Sequence, residues 1–153
     1  MTIKVGAIGS GGMAGGHFRN LDRFEDVELA AFCDISADWC NEYGGNPHTG
    51  HREMFDKEDL DAGYICTPPF AHGDQELAAC ERQIPIFVEK PIATQMETAD
   101  QINRAIQENG IIASVGYPWR YQDNADHARS VSAGQKIVGA LGYWMGGMPG
   151  VAW

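Results

Sequence analysis

Five short runs of apolar residues set the terms for this chain: Ile3–Ile8, Val27–Cys33, and the runs over 62–66, 84–88 and 111–115. Each is about five to seven residues, the usual length of a β-strand, and each is bounded by turn-forming residues. None alternates strictly between apolar and polar, as a strand with one wet face would. Strands that are apolar throughout belong in a parallel sheet covered on both sides. A weaker extended piece lies over 47–50.

Segments with helical signals separate these runs. Thr94 and Glu97 have the spacing of a capping box, in which the hydroxyl takes an amide and the carboxylate reaches back. Met96, Ala99, Ile102 and Ile106 then fall on one helical face, and Asn109-Gly110 supplies a left-handed stop. The segments 74–83 and 36–43 read as shorter helices. Strand and helix in repeated alternation predict a doubly wound parallel sheet, an α/β domain over residues 1–117. Residues 118–153 read as a helix through Ser132 and one strand over 136–145, the opening of a second, incomplete domain. A lone strand leaves edge groups unpaired, so copies of the chain are expected to associate through it.

Composition narrows the partners. At 153 residues the chain is long enough for one ordinary core and too short for two full domains. Its 11 basic and 21 acidic residues leave a net charge of −10 with no basic stripe, which argues against nucleic acid. Backbone amides at a helix start must then supply much of the attraction for any anionic ligand. Cys33, Cys40, Cys66 and Cys80 form no CxxC pair and no zinc-like spacing, and Cys33 and Cys66 end apolar runs as small buried hydrophobes. A reduced, cytosolic setting without disulfides is expected. No stretch approaches membrane-span length and the start lacks a signal-peptide layout, so the chain is expected to be soluble and intracellular.

The first apolar run leads into Gly9-Ser10-Gly11-Gly12-Met13-Ala14, a G-x-G-x-x-A turn that opens a helix. Gly9 makes a tight turn, Gly11 lets backbone approach a pyrophosphate, and the small Ala14 lets helix pack on strand. The ligand's negative charge then sits at the helix N-terminus, against the amides around Ser10, Gly12 and Met13. Asp34 ends the second run twenty residues after Ala14, where an acidic side chain bonds the hydroxyls of the adenosine ribose. A carboxylate there repels a 2′-phosphate and favours NAD over NADP. Ser36, which could bond such a phosphate, pulls the other way.

In open α/β sheets, ligands bind at the carboxyl ends of the strands. The residues there are Cys66-Thr67-Pro68-Pro69-Phe70-Ala71-His72, then Glu89-Lys90-Pro91, then Gly116-Tyr117-Pro118-Trp119-Arg120. Glu89 and Lys90 admit two readings, a solvated strand end and an active-site edge. His72 likewise either contacts a cofactor or starts a helix. His48 and His51, three apart without carboxylate or cysteine companions in the loop, do not make a metal site.

These segments carry a family resemblance. DAGYICTPPFAHGDQELAAC resembles the fourth strand and loop of the glucose–fructose oxidoreductase and inositol dehydrogenase family. IFVEKPIATQMETADQI resembles its Glu-Lys-Pro segment, and ASVGYPWRY its crossing into a second domain. The resemblance implies a Rossmann domain followed by an open-faced α+β sheet domain. It also implies hydride transfer between a nicotinamide cofactor and a hydroxyl or carbonyl carbon of a sugar, polyol or related compound. Thr67, Pro68 and His72 would line the cofactor cleft, and Glu89 would approach the nicotinamide-side ribose. Lys90 would face nicotinamide and substrate, with Trp119 and Arg120 near that end. A lysine with a proton affinity lowered by burial can share the proton transfer that accompanies hydride loss, which makes Lys90 the expected catalytic residue. The family's downstream Asp-x-x-x-His segment does not occur before Trp153, so the chain reads as a truncated member or a fragment of a longer product. The competing expectation is a dinucleotide-binding module, a sensor or assembly partner, without catalysis.

Overall fold

The computed structural model describes residues 1–36, 40, 43–143, 145 and 146. Its strands are β1 (Ile3–Ile8), β2 (Val27–Cys33), β3 (Asn46–His48), β4 (Ala62–Ile65), β5 (Ile86–Val88) and β6 (Ala113–Val115). Its helices are α1 (Gly12–Leu21), α2 (His51–Lys57), α3 (Asp74–Glu81), α4 (Met96–Asn109) and α5 (Asp123–Ser132). The six strands form one sheet in the order β3-β2-β1-β4-β5-β6, and every pairing is parallel. The order reverses direction at β1, between β2 and β4, and a ligand crevice opens at the carboxyl ends there.

Successive side chains of a strand point to opposite faces, and here both faces are buried. Ile8, Ala31, Cys33, Ile65, Ile86 and Val88 pack with Met54 and Phe55 of α2 and with Ala78 and Ala79 of α3. Their neighbours Ala7 and Phe32 join Ala14 and Phe18 of α1 in a second cluster on the other face. Phe18, Phe32 and Tyr43 meet ring to ring there at 4.9–5.3 Å. This two-sided burial is why the runs read as continuously apolar.

Several expectations need correction. The last three expected strands lose one or two residues at an end, 62–66 to Ala62–Ile65, 84–88 to Ile86–Val88 and 111–115 to Ala113–Val115. The weak piece over 47–50 is β3, an edge strand that tolerates Pro47 because an edge can spare an amide donor. Helix α2 had no expected counterpart, since a seven-residue helix spans too few turns to show a periodic stripe. Helix α4 has no side-chain cap at its N-terminus; Gln95 caps it through backbone, with Ala99 N–H donating to its carbonyl at 3.2 Å. Ile102 is fully buried but Met96, in the first turn, is 70% exposed, so the apolar face starts later than its spacing suggests. Gly110 does take the left-handed conformation, at φ 64°. The helix expected over 36–43 lies mostly outside the described residues.

The chain divides into two compact units, Met1–Gly116 and Tyr117–Trp153. The second contains a short 3-10 turn, Pro118–Tyr121, and α5. Arg129 ties them together, pairing with Asp126 and donating from Nη2 to the Arg120 carbonyl at 3.0 Å. The strand expected over 136–145 does not form among the described residues of that segment. A strand is stabilised by its ladder, and no partner strand occurs among the described residues of this unit. Among the described residues, no helix is long and apolar enough to cross a membrane.

Candidate functional site

Four strand ends continue their hydrogen-bond ladders one residue further. Gly9 N–H donates to the Cys33 carbonyl, Cys66 N–H to Ile8, Glu89 N–H to Ile65 and Gly116 N–H to Val88, each at 2.8 Å. These bonds hold the starts of four loops in one row along the crevice. What stands on that row is the candidate site.

At one end of the row lies the glycine turn. Gly9 has φ 87°, and a Cβ there would sit 2.7 Å from the Cys66 carbonyl oxygen and 3.0 Å from the Thr67 nitrogen. Only glycine accepts both the left-handed backbone and this approach of two loops. Helix α1 starts at Gly12 with Gly11 as its N-cap and no side-chain cap, and Gly15 N–H makes the first bond back, to Gly11, at 3.2 Å. The amides of Gly12, Met13 and Ala14 therefore have no helical carbonyl to bond. A Cβ on Gly12 would meet nothing within 4 Å, and Met13 is exposed, so the helix start faces open space.

Asp34 is joined to this turn directly. Its Oδ2 accepts from Ser10 N–H at 2.7 Å and its Oδ1 from Ser36 N–H at 3.2 Å, while its own N–H donates to the His48 carbonyl at 3.1 Å. The carboxylate is thus fixed beside the turn, half-buried, with lone pairs remaining on both oxygens. Two buried hydroxyls nearby, Ser10 Oγ and Thr67 Oγ1, have no hydrogen-bond partner. Buried polar groups are normally satisfied, and these two flank the start of α1 from either side of Gly9. Orphan donors, uncapped amides and an anchored carboxylate together fit a dinucleotide.

His72 turns its ring inward. Its side chain is fully buried, with Nδ1 2.5 Å from Glu76 Oε1 and Nε2 3.1 Å from the Thr67 carbonyl. The carbonyl can only accept, so Nε2 carries a hydrogen, and one proton lies between Nδ1 and the Glu76 carboxyl. Glu76 Oε2 also accepts from Gly73 N–H at 2.7 Å, closing the start of α3. His72 therefore braces the loop through Thr67. Pro68 is half-buried and caps the 3-10 turn Pro69–Ala71.

At the β5 end, Glu89 is buried and its two oxygens are separately held. Oε2 accepts from Lys90 N–H at 2.9 Å, and Oε1 lies 2.8 Å from His17 Nε2 on α1. A Cβ added to Gly116 would lie 3.1 Å from Oε1, so glycine at this strand end leaves the carboxylate its space. Burial, and secondarily the Glu89 charge, push the Cys66 thiol up to about 12, which makes it an inert wall of this corner. Burial similarly lifts the Cys33 thiol to about 12. Glu89 thus spends its charge on His17 and a backbone amide, and it forms no ion pair with the Lys90 ammonium. The surface ion pair that a Glu-Lys sequence suggests is not formed. Lys90 is exposed, so the described residues do not supply the burial expected of a proton-accepting lysine. The Lys90–Pro91 bond is cis.

Sequence reasoning missed His17. Its signal was present in the helical period: Ala14, His17 and Phe18 share the face of α1 turned to the sheet. Trp119 and Arg120 stand in the 3-10 turn of the second unit, Trp119 exposed and Arg120 accepting from Arg129. His48 and His51 face separate carboxylates, Glu58 and Asp74, each at 2.8 Å. Among the described residues, no group of three or more His, Cys, Asp or Glu could hold a metal ion.

Known proteins share this arrangement. Residues 3–117 match the profile of the Gfo/Idh/MocA group, described as an oxidoreductase family with an NAD-binding Rossmann fold. The inositol 2-dehydrogenase 3 of Saccharopolyspora erythraea is 33% identical over 129 residues, covering 79% of this chain and 38% of the relative. Glucose-6-phosphate 3-dehydrogenase of Bacillus subtilis is 27% identical over 142 residues, covering 90% of this chain and 40% of the relative. The crystal structure of myo-inositol 2-dehydrogenase from Lactobacillus plantarum superposes with a TM-score of 0.76 at 25% identity, over 86% of this chain and 41% of that one. The chain thus spans about two fifths of the length of these relatives. On the profile match, with the parallel sheet and its glycine turn, the chain belongs to the Gfo/Idh/MocA oxidoreductase family and carries that family's NAD-binding Rossmann fold.

Proposed function

We propose that this chain binds NAD along the row of strand ends, and that with a completed second domain it oxidises a hydroxyl carbon of a sugar or polyol, or reduces the carbonyl. The row itself carries the reading: the glycine turn and Asp34 stand at one end of a single hydrogen-bonded line, with Glu89 and Lys90 further along it. The uncapped amides from Gly12 to Ala14 receive the pyrophosphate, with Ser10 and Thr67 supplying hydroxyls. Asp34 accepts from the adenosine ribose and, by its charge, disfavours a 2′-phosphate, so NAD is preferred over NADP. Glu89 keeps free lone pairs for the second ribose.

The nicotinamide, when bound, supplies the acceptor for hydride. Removal of hydride from an alcohol carbon must be matched by loss of the hydroxyl proton, and Lys90 Nζ takes that proton from a substrate held over the β5 end. Pro68 walls the same end, and Trp119 and Arg120 belong to the segment that leads toward the substrate domain, over residues 118–153. The named relatives that act on inositols and a sugar phosphate support a polyhydroxylated substrate. A second reading, an NAD-binding module without turnover, is favoured by one observation, the exposure of Lys90.

Calorimetric titration tests the cofactor assignment on this chain. NADH should bind more tightly than NADPH, and Asp34→Ala should weaken NADH by ~10-fold or more, as loss of hydrogen bonds to a charged group does. Undetectable NADH binding at millimolar concentration would remove the assignment. The chemistry is tested in a form extended by a substrate domain: Lys90→Ala should lower turnover by ~100-fold or more with NADH affinity little changed. Turnover that survives the substitution would leave Lys90 without a catalytic role, and an extended form inert toward every sugar and polyol would favour the module.

A further inference from the structure

We propose that His17 is a positioning residue for the nicotinamide half of the cofactor, acting through Glu89. The inference rests on the role assigned to Glu89 above and extends it to a residue on a different element.

His17 lies in the second turn of α1, the helix that begins at the glycine turn, and its Nε2 is 2.8 Å from Glu89 Oε1 across 72 residues of sequence. The ring is clamped by packing, with centroids 5.1 Å from Phe87 and 5.7 Å from Tyr64, and those two rings stack on each other at 4.6 Å. Phe87 and Tyr64 belong to β5 and β4, so the imidazole is fixed against the sheet and delivers its nitrogen to the strand end. An ionised carboxylate accepts only, so Nε2 must donate.

The Glu89 carboxylate offers about four lone-pair positions. His17 takes one and the Lys90 amide takes another. The remaining positions are those assigned above to the second ribose. Without His17, Glu89 keeps its charge but loses the partner that fixes Oε1, and the carboxylate is free to turn toward water. The same contact ties α1, whose start takes the pyrophosphate, to the β5 end, so the two halves of the cofactor meet a rigid spacing.

The test compares NADH with ADP, which lacks the nicotinamide-side ribose. In His17→Phe, which keeps the ring packing and removes the donor, NADH affinity should fall about tenfold. ADP affinity should stay within about twofold of the unsubstituted chain, and this also reports that the variant is folded. His17→Gln, whose amide can donate to Glu89, should recover most of the NADH affinity. Unchanged NADH affinity in His17→Phe would overturn the proposal. So would equal losses for NADH and ADP in both variants, which would make His17 a packing residue of α1. If the Phe variant is unfolded, the Gln variant decides: near-normal NADH affinity supports the proposal, and a loss shared with ADP overturns it. Failure of the unsubstituted chain to bind NADH would instead remove the reading on which the proposal rests.

Discussion

Two histidine–glutamate pairs hold the cofactor side of this domain, and they differ in what surrounds them. His72 and Glu76 sit four residues apart with no exposed side-chain surface, one proton between them, and every remaining polar contact closed by the Thr67 carbonyl and the Gly73 amide. His17 and Glu89 join distant elements, and their side chains keep 26% and 11% of their surface exposed. The first pair is a closed circuit that shapes a loop from below. The second is an open one, with lone pairs of Glu89 left over at the mouth of the crevice. On the function proposed above, the same two residue types serve stability in one place and ligand contact in the other, and the two pairs differ in burial.

Replacing the two glutamates should separate these roles. Glu76→Leu leaves the His72 ring nitrogen and the Gly73 amide buried without a hydrogen-bond partner, and breaking a buried pair in this way costs about 3–5 kcal/mol. Domains of this kind are stable by about 5–15 kcal/mol, so urea unfolding followed by circular dichroism should show a large loss or outright unfolding. Glu89→Gln keeps one acceptor oxygen, so it can still serve His17 but not the Lys90 amide as well, and with both groups at the edge of the core it should cost about 1 kcal/mol while weakening NADH about tenfold. A stable Glu76→Leu protein, or a Glu89→Gln protein as destabilised as it, would erase the distinction.

The contrast also marks where sequence reading reached and where it stopped. The sheet was legible because both its faces are buried, which writes each strand as an unbroken apolar run. The glycine turn and Asp34 were legible because a left-handed turn and a strand-ending carboxylate are local features, and Ser10 N–H to Asp34 is a contact between two such features. The histidines were not. Whether His72 faces the cleft or the core depends on Glu76 standing one helical turn on, inside a loop whose path the sequence does not specify. His17 meets a residue 72 positions away, and no local pattern announces such a partner. Lys90 stands just past the β5 end, as read from the sequence, but it is exposed where burial was expected. Among its described residues the strand expected over 136–145 is absent for the complementary reason: apolar composition suits a strand, but only a neighbouring strand can satisfy its backbone.

A third histidine–glutamate pair offers the smallest and most finely graded test. His48 Nε2 lies 2.8 Å from Glu58 Oε1, and Asn46 Nδ2 donates to both Glu58 oxygens at 3.1 and 3.2 Å, clamping β3 to the end of α2. The hydrogen bond from His48 is the main reason the Glu58 carboxyl is held below the usual carboxylate range, and partial burial opposes it. A carboxyl whose folded-state pKa is depressed stabilises the fold at pH values above its unfolded pKa, and that contribution disappears as the pH falls through the depressed folded value. Glu58→Gln cannot ionise, so the two proteins should differ at neutral pH and converge in acid. Glu53, Asp56 and Asp74 are also held low by cationic partners, but they are present in both proteins and cancel in the difference. Water competes for a pair this close to the surface, so the neutral-pH difference should stay below about 1 kcal/mol, or ~3 °C in melting temperature. Because the His48 carbonyl also accepts the Asp34 amide, loosening β3 should weaken NADH slightly, in step with that melting difference. A melting difference that widened on acidification would reverse the sign argued here, and one of many degrees would place the pair with His72 and Glu76 instead.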